Sequence, residues 1–160
     1  MVENVLEAVE AEPPSSPVPD EVACVTLLEG ARAISHTNGC AGAVVIGHHT
    51  LPYILALLRQ GCASVRSVRP DCPAPDCELV ELVWIVDLAN QTELADALRI
   101  ARSRVGQRGR VVLEGTAFQW RAGLADLPRV ALAAGLDVVA VDGRMRRLVL
   151  APATEIALAA

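Results

Sequence analysis

Apolar and polar positions switch between two periods along this chain, and the switches outline its elements. Asp20 stands where it would cap a helix to about Ser35, with Val22, Val25, Leu28, Ala31 and Ile34 on one stripe. The Thr37-Asn38-Gly39 turn closes it. The run AGAVVIG is β-branched without alternation, as in a strand buried on both faces. Thr50 is expected to cap the helix LPYILALLRQ, with Pro52 in its first turn and Gly61 past its end. SVRSVR alternates as a second strand, PDCPAPDC reads as a loop, and ELVWIVDL is a third buried strand. Asn90 or Thr92 caps TELADALRIARSRV, whose Leu94, Leu98 and Ala101 share a face. A Gly106/Gly109 turn then leads into the strand RVVLEG. Beyond a loop with Phe118 and Trp120, the helix ADLPRVALAAG closes at Gly135. DVVAV, an Asp142-Gly143 turn and RMRRLVLAP complete the pattern as a hairpin.

This alternation of helices and strands predicts an α/β fold: a three-layer, doubly wound, mostly parallel sheet ending in an antiparallel hairpin. Residues 1–20 stand apart, Glu-rich and then Pro/Ser-rich (EPPSSPVPDE), and read as an acidic, flexible arm before a domain spanning 21–160.

Composition narrows the chemistry. Every one of the 14 basic residues is Arg. Without lysine there is no P-loop lysine, no kinase strand lysine and no Schiff-base or pyridoxal-phosphate mechanism. Tyr53, Trp84, Phe118 and Trp120 are the whole aromatic set, too few to stack single-stranded nucleic acid. The net charge of −5 comes from the first 21 residues, which hold six acids and no base. The body is near neutral, which argues against a polyanionic partner. No apolar run reaches the roughly 20 residues of a membrane-spanning helix, and the N-terminus lacks a basic start before an apolar stretch. The expected location is therefore the cytoplasm, with no membrane partner. The apolar share of 52% points to a homo-oligomer or a protein partner.

Five cysteines (Cys24, Cys40, Cys62, Cys72, Cys77) form no C-x-x-C pair, so the expectation is reduced thiols and no metal. Cys72 and Cys77, on the proline-rich loop, are the two expected to be exposed. A Cys/His metal or redox protein, drawing on these thiols with His48 and His49, stands as a second alternative function.

From about Asp20 to Pro152 the order of elements resembles the class I S-adenosylmethionine-dependent methyltransferases. AGAVVIGHHTLPYILALLRQGCASVRSV is similar to that family's first strand, cofactor loop, first helix and second strand. ELVWIVDLANQTELADALRIARSRVGQRGRVVLEG is similar to its fourth strand, helix and fifth strand, and LADLPRVALAAGLDVVAVDGRMRRLVLAP to its closing helix and hairpin. The family's third strand has no counterpart, a short loop replacing it. The resemblance implies a cofactor site at Gly47, His48, His49, Thr50, Arg69, Asp87 and Asn90.

Two departures fall inside that site. The family's Gly-x-Gly-x-Gly loop here reads Gly47-His48-His49-Thr50-Leu51, with side chains at the second and third glycine positions. The acid that holds the cofactor ribose at the end of the second strand is replaced by Arg69, with Asp71 two residues late. On steric grounds the side chains at 48, 49 and 51 are expected to fill the space of the nucleoside. The resulting expectation is a non-catalytic methyltransferase-like protein with no catalytic residues and no cofactor, acting by self-association or partner binding. The alternative is a divergent methyltransferase that still uses S-adenosylmethionine. Asp87 is open to a ligand or a helix-capping role, and the histidine pair to a ligand or to local hydrogen bonds. The cluster Arg144, Arg146, Arg147 is expected on the last strand as a solvated face.

Overall fold

A computed structural model describes residues 42–72, 78–114, 126–142 and 147–154. The arm, the helix expected from Asp20, Phe118 and Trp120 lie outside the described residues. The elements run β1 (Ala43–Ile46), α1 (Leu51–Arg59), β2 (Val65–Val68), β3 (Val80–Ile85), α2 (Gln91–Arg104), β4 (Val105–Glu114), α3 (Leu127–Ala133), β5 (Leu136–Asp142) and β6 (Arg147–Pro152).

They build one six-stranded sheet in the order β2-β1-β3-β4-β6-β5. The first four strands in chain order pair in parallel, and β6 is antiparallel to both β4 and β5. Among the described residues β2 is an edge strand. The continuous apolar runs are explained by burial on both sides. Val44, Ile46, Val83, Ile85, Val111 and Leu113 meet the apolar faces of α2 and α3. Ala43, Val45, Leu82, Trp84 and Val112 meet Ala56 and Leu57 of α1. Because strand side chains alternate, each run feeds both layers at once. Among the described residues no helix is long and apolar enough to cross a membrane.

Three local expectations are corrected. Gly106 and Gly109 form no turn; both lie within β4. Val80 faces Val105 and Leu82 faces Arg110, so residues 106–109 bulge opposite Glu81. Gly109 is required there, since a Cβ would sit 2.9 Å from the Glu81 carbonyl oxygen. Asp142, expected in the hairpin turn, lies at the end of β5 and pairs with Arg147. Gly143, Arg144 and Arg146 lie outside the described residues. Arg147 is not on a solvated face: it is buried.

Candidate functional site

Strand order reverses between β1 and β3, where α1 crosses one face of the sheet and α2 the other. In open parallel sheets the crevice at the carboxyl ends of such strands receives ligands. Gly47 leaves β1 here with φ +154°, and a Cβ would overlap the carbonyl oxygen of Val86. Only glycine allows the β1 loop to approach the end of β3 so closely. The loop is pinned by Gly47 N–H donating to Val68 O at 3.1 Å and by Val86 N–H donating to Ile46 O at 2.9 Å.

The two histidines reach across to the β3–α2 segment. His48 Nε2 lies 3.0 and 3.1 Å from the two carboxylate oxygens of Glu93, and His49 Nδ1 pairs with Asp87 Oδ2. Asp87 lies beyond the end of β3 and holds φ +43°, the left-handed region that Asp tolerates better than most residues. Glu93 also accepts the Ala89 N–H at 2.7 Å. That backbone hydrogen bond, followed by His48, holds its carboxyl below the usual range. Asn90, not Thr92 or Asp87, caps α2: its Oδ1 accepts the Glu93 N–H at 2.9 Å.

Thr50 stands at the N-cap position of α1, but its hydroxyl makes no cap. It is buried and meets Ser67 Oγ at 2.7 Å, tying α1 to β2. Arg69 follows β2 directly, is exposed, and has no side-chain partner among the described residues. The steric expectation is corrected. The side chain of His49 is 86% exposed and Leu51 is 63% exposed, so neither fills a cavity. What occupies the crevice mouth is a pair of bridges rather than packed bulk.

Glu93 and Ser67 were not among the expected residues. A helix-capping spacing, Asn90 to Glu93, was the available signal for the first; nothing local signals the second. A further polar group was missed altogether. Glu114 Oε1, at the end of β4, accepts Arg147 Nε–H at 2.6 Å and Trp84 Nε1–H at 3.2 Å. The Arg147 guanidinium lies over the Trp84 ring at 5.6 Å, and Tyr53 meets that ring edge-on at 5.0 Å. Burial pushes the Glu114 carboxyl up, partly offset by Arg147 and Trp84. Among the described residues Cys62 is buried, Cys72 is exposed, and no cluster of three His, Cys, Asp or Glu is arranged to hold a metal ion.

No family model matches the chain, and no curated protein matches it. Solved structures do match in fold. A TehB-like S-adenosylmethionine-dependent methyltransferase from Corynebacterium glutamicum superposes with a TM-score of 0.56 at 16% identity, covering 79% of this chain and 88% of that one. A ribosomal protein L11 methylase from Lactobacillus delbrueckii subsp. bulgaricus gives 0.60 at 12% identity, covering 84% and 79%. CalS10, an amino pentose methyltransferase from Micromonospora echinaspora with S-adenosylmethionine bound, gives 0.59 at 15% identity, covering 84% and 91%. With the sheet order and the crevice described above, these similarities establish that the chain has the class I, methyltransferase-like fold.

Proposed function

We propose that this is a non-catalytic methyltransferase-like protein whose cofactor crevice no longer holds S-adenosylmethionine. One observation carries the reading: the polar side chains at the crevice are already paired with one another. His48 holds Glu93, His49 holds Asp87, Asn90 caps α2 and Thr50 holds Ser67. Among the described candidate residues Arg69 alone offers an uncommitted polar side chain, and a guanidinium has no acceptor for a ribose diol. A nucleoside would have to break existing pairs before making its own, leaving polar groups unmatched. The apolar share of 52% and the exposed leucines of α1 (Leu51, Leu55, Leu58) support action through self-association, which sedimentation velocity would read as a dimer or higher species.

Isothermal titration of S-adenosylmethionine into the full chain tests the first part. The expected result is no binding tighter than about 1 mM, or about −4 kcal/mol. A micromolar dissociation constant would overturn it. The second reading, a divergent S-adenosylmethionine-dependent methyltransferase, is favoured by Gly47, which keeps the close backbone approach, and by the fold shared with a neighbour that carries that cofactor. In that case Gly47 and Asp87 would line the site of the bound cofactor, which would supply the methyl group.

A further inference from the structure

We infer that the chain carries a second site, a pocket for a small zwitterion of the free amino acid class, at the amino ends of β1, β2 and β3. It lies at the opposite end of these strands from the crevice, so it stands whichever reading of the crevice holds. A cavity of about 70 Å³ opens there, and its lining includes Val44, Ser64, Arg66, Glu78, Glu81 and Arg104. Strand register explains how these groups meet. Arg66 pairs with Val44, whose side chain packs in the layer beneath α2, so Arg66 stands on that same face of the sheet. Arg104 is the last residue of α2, Glu78 lies just before β3 and Glu81 within it. Arg104 is 3% exposed and forms the inner end with Val44, whereas Arg66 and Glu78 are exposed and stand at the mouth.

Size and charge select the ligand. The cavity has room for several waters, and so for a molecule of about five non-hydrogen atoms, far short of a nucleoside. Its lining sets two guanidinium groups against two carboxylates. A simple anion or a simple cation meets as much repulsion as attraction there, whereas a molecule bearing both charges finds a partner for each. Arg66 gives one N–H to Glu78 at 3.0 Å, and the fork keeps further donors beside it. The Glu78 carboxylate likewise keeps acceptor positions. An incoming carboxylate and ammonium therefore join this pair without breaking it. The pair is exposed and contributes little to stability by itself, so the fold alone gives no reason for it.

The test is titration of glycine, the smallest such zwitterion, into the full chain, followed by proton–nitrogen correlation NMR. Acetate and methylammonium, its two halves, are titrated in parallel. Saturable shifts are expected at the amides of Gly42, Ser64 and Glu81 and not at those of Gly47 and Asp87, with a dissociation constant of about 1 mM. Acetate and methylammonium should each bind at least about tenfold more weakly, as should glycine to the Arg66→Gln variant, which loses a charge-assisted contact. The Arg66 side chain is 58% exposed, which keeps the core out of the perturbation, and the variant's own spectrum confirms its fold. Glycine without saturable shifts overturns the site. Acetate binding as tightly as glycine, shifts centred on Gly47, or an unchanged affinity in a folded Arg66→Gln variant overturns it equally.

Discussion

Replacing Arg147 by methionine tests the buried group at the end of β4. Arg147 is 7% exposed, and its Nε lies 2.6 Å from a Glu114 oxygen that also accepts the Trp84 indole N–H. The substitution keeps an apolar stem of similar length but leaves Glu114 charged beside Trp84, which is fully buried. Removing one partner of a buried pair typically costs 3–5 kcal/mol, because the remaining charge is uncompensated. Some water reaches Glu114, whose side chain is 15% exposed, so the lower end applies: about 3 kcal/mol at pH 7.5. The pH dependence has a definite sign. Burial raises the Glu114 carboxyl in the folded chain, and Arg147 is the main opposing influence. Without it the carboxyl rises further. A carboxyl raised on folding is penalised when ionised, so the penalty is present above its folded value and fades as pH falls through that value. Urea unfolding followed by tryptophan fluorescence at pH 7.5 and pH 5 is the assay. The gap between variant and parent should narrow at the lower pH. Replacing both partners (Glu114→Leu with Arg147→Met) should restore most of the loss. A gap under about 1 kcal/mol at pH 7.5, or one that widens on acidification, would refute the reasoning.

The remaining predictions concern the crevice. Gly47→Ala drives a Cβ into the Val86 carbonyl at a φ that side chains avoid, and should cost at least about 2 kcal/mol, read as a melting temperature lower by about 4–8 °C; an unchanged melt would deny the close approach. Asn90→Ala removes the α2 cap and should cost about 1 kcal/mol in urea unfolding, whereas Thr92→Ala should cost little. Glu93→Gln keeps an acceptor for the Ala89 N–H but loses the charge. Because the folded carboxyl is lowered, its stabilising contribution is present above the ordinary carboxylate value and lost as pH falls through the folded one. Melting temperature against pH in the acid range should therefore be flatter for Glu93→Gln than for the parent; parallel profiles would count against the pairing.

The order of the described elements could be read from residue patterns because each is a local matter. An uninterrupted β-branched run such as AVVI can be satisfied only by burial on both faces, and Leu94, Leu98 and Ala101 return at helical spacing whatever surrounds them. Gly47, Gly61 and Gly135 sit at positive φ where the pattern breaks, as turn chemistry requires. Local reasoning failed where a residue had both a near and a far option. Thr50 looked like a cap, yet its hydroxyl chose Ser67 across the α1–β2 contact. Gly106 and Gly109 looked like a turn, yet both lie in a bulge of β4, where the bareness of Gly109 admits the Glu81 carbonyl. Arg147 looked solvated within an Arg-rich stretch, yet the β4–β6 register places it directly opposite Glu114.

Taken alone, then, the order of residues determined the α/β alternation, the closing hairpin and the loop in which Gly47 and the two histidines stand. Those features follow from side-chain volume, backbone freedom and periodicity within one element. The tertiary structure decided which polar groups meet: His48 with Glu93 across 45 residues, His49 with Asp87 across 38, and Arg147 with Glu114 across 33. Such pairs form only after strand pairing has brought distant segments together in the sheet, and no period in the chain encodes that distance. Whether the crevice is open or bridged is decided at the same level, by side chains whose partners are supplied by another crossover of the sheet.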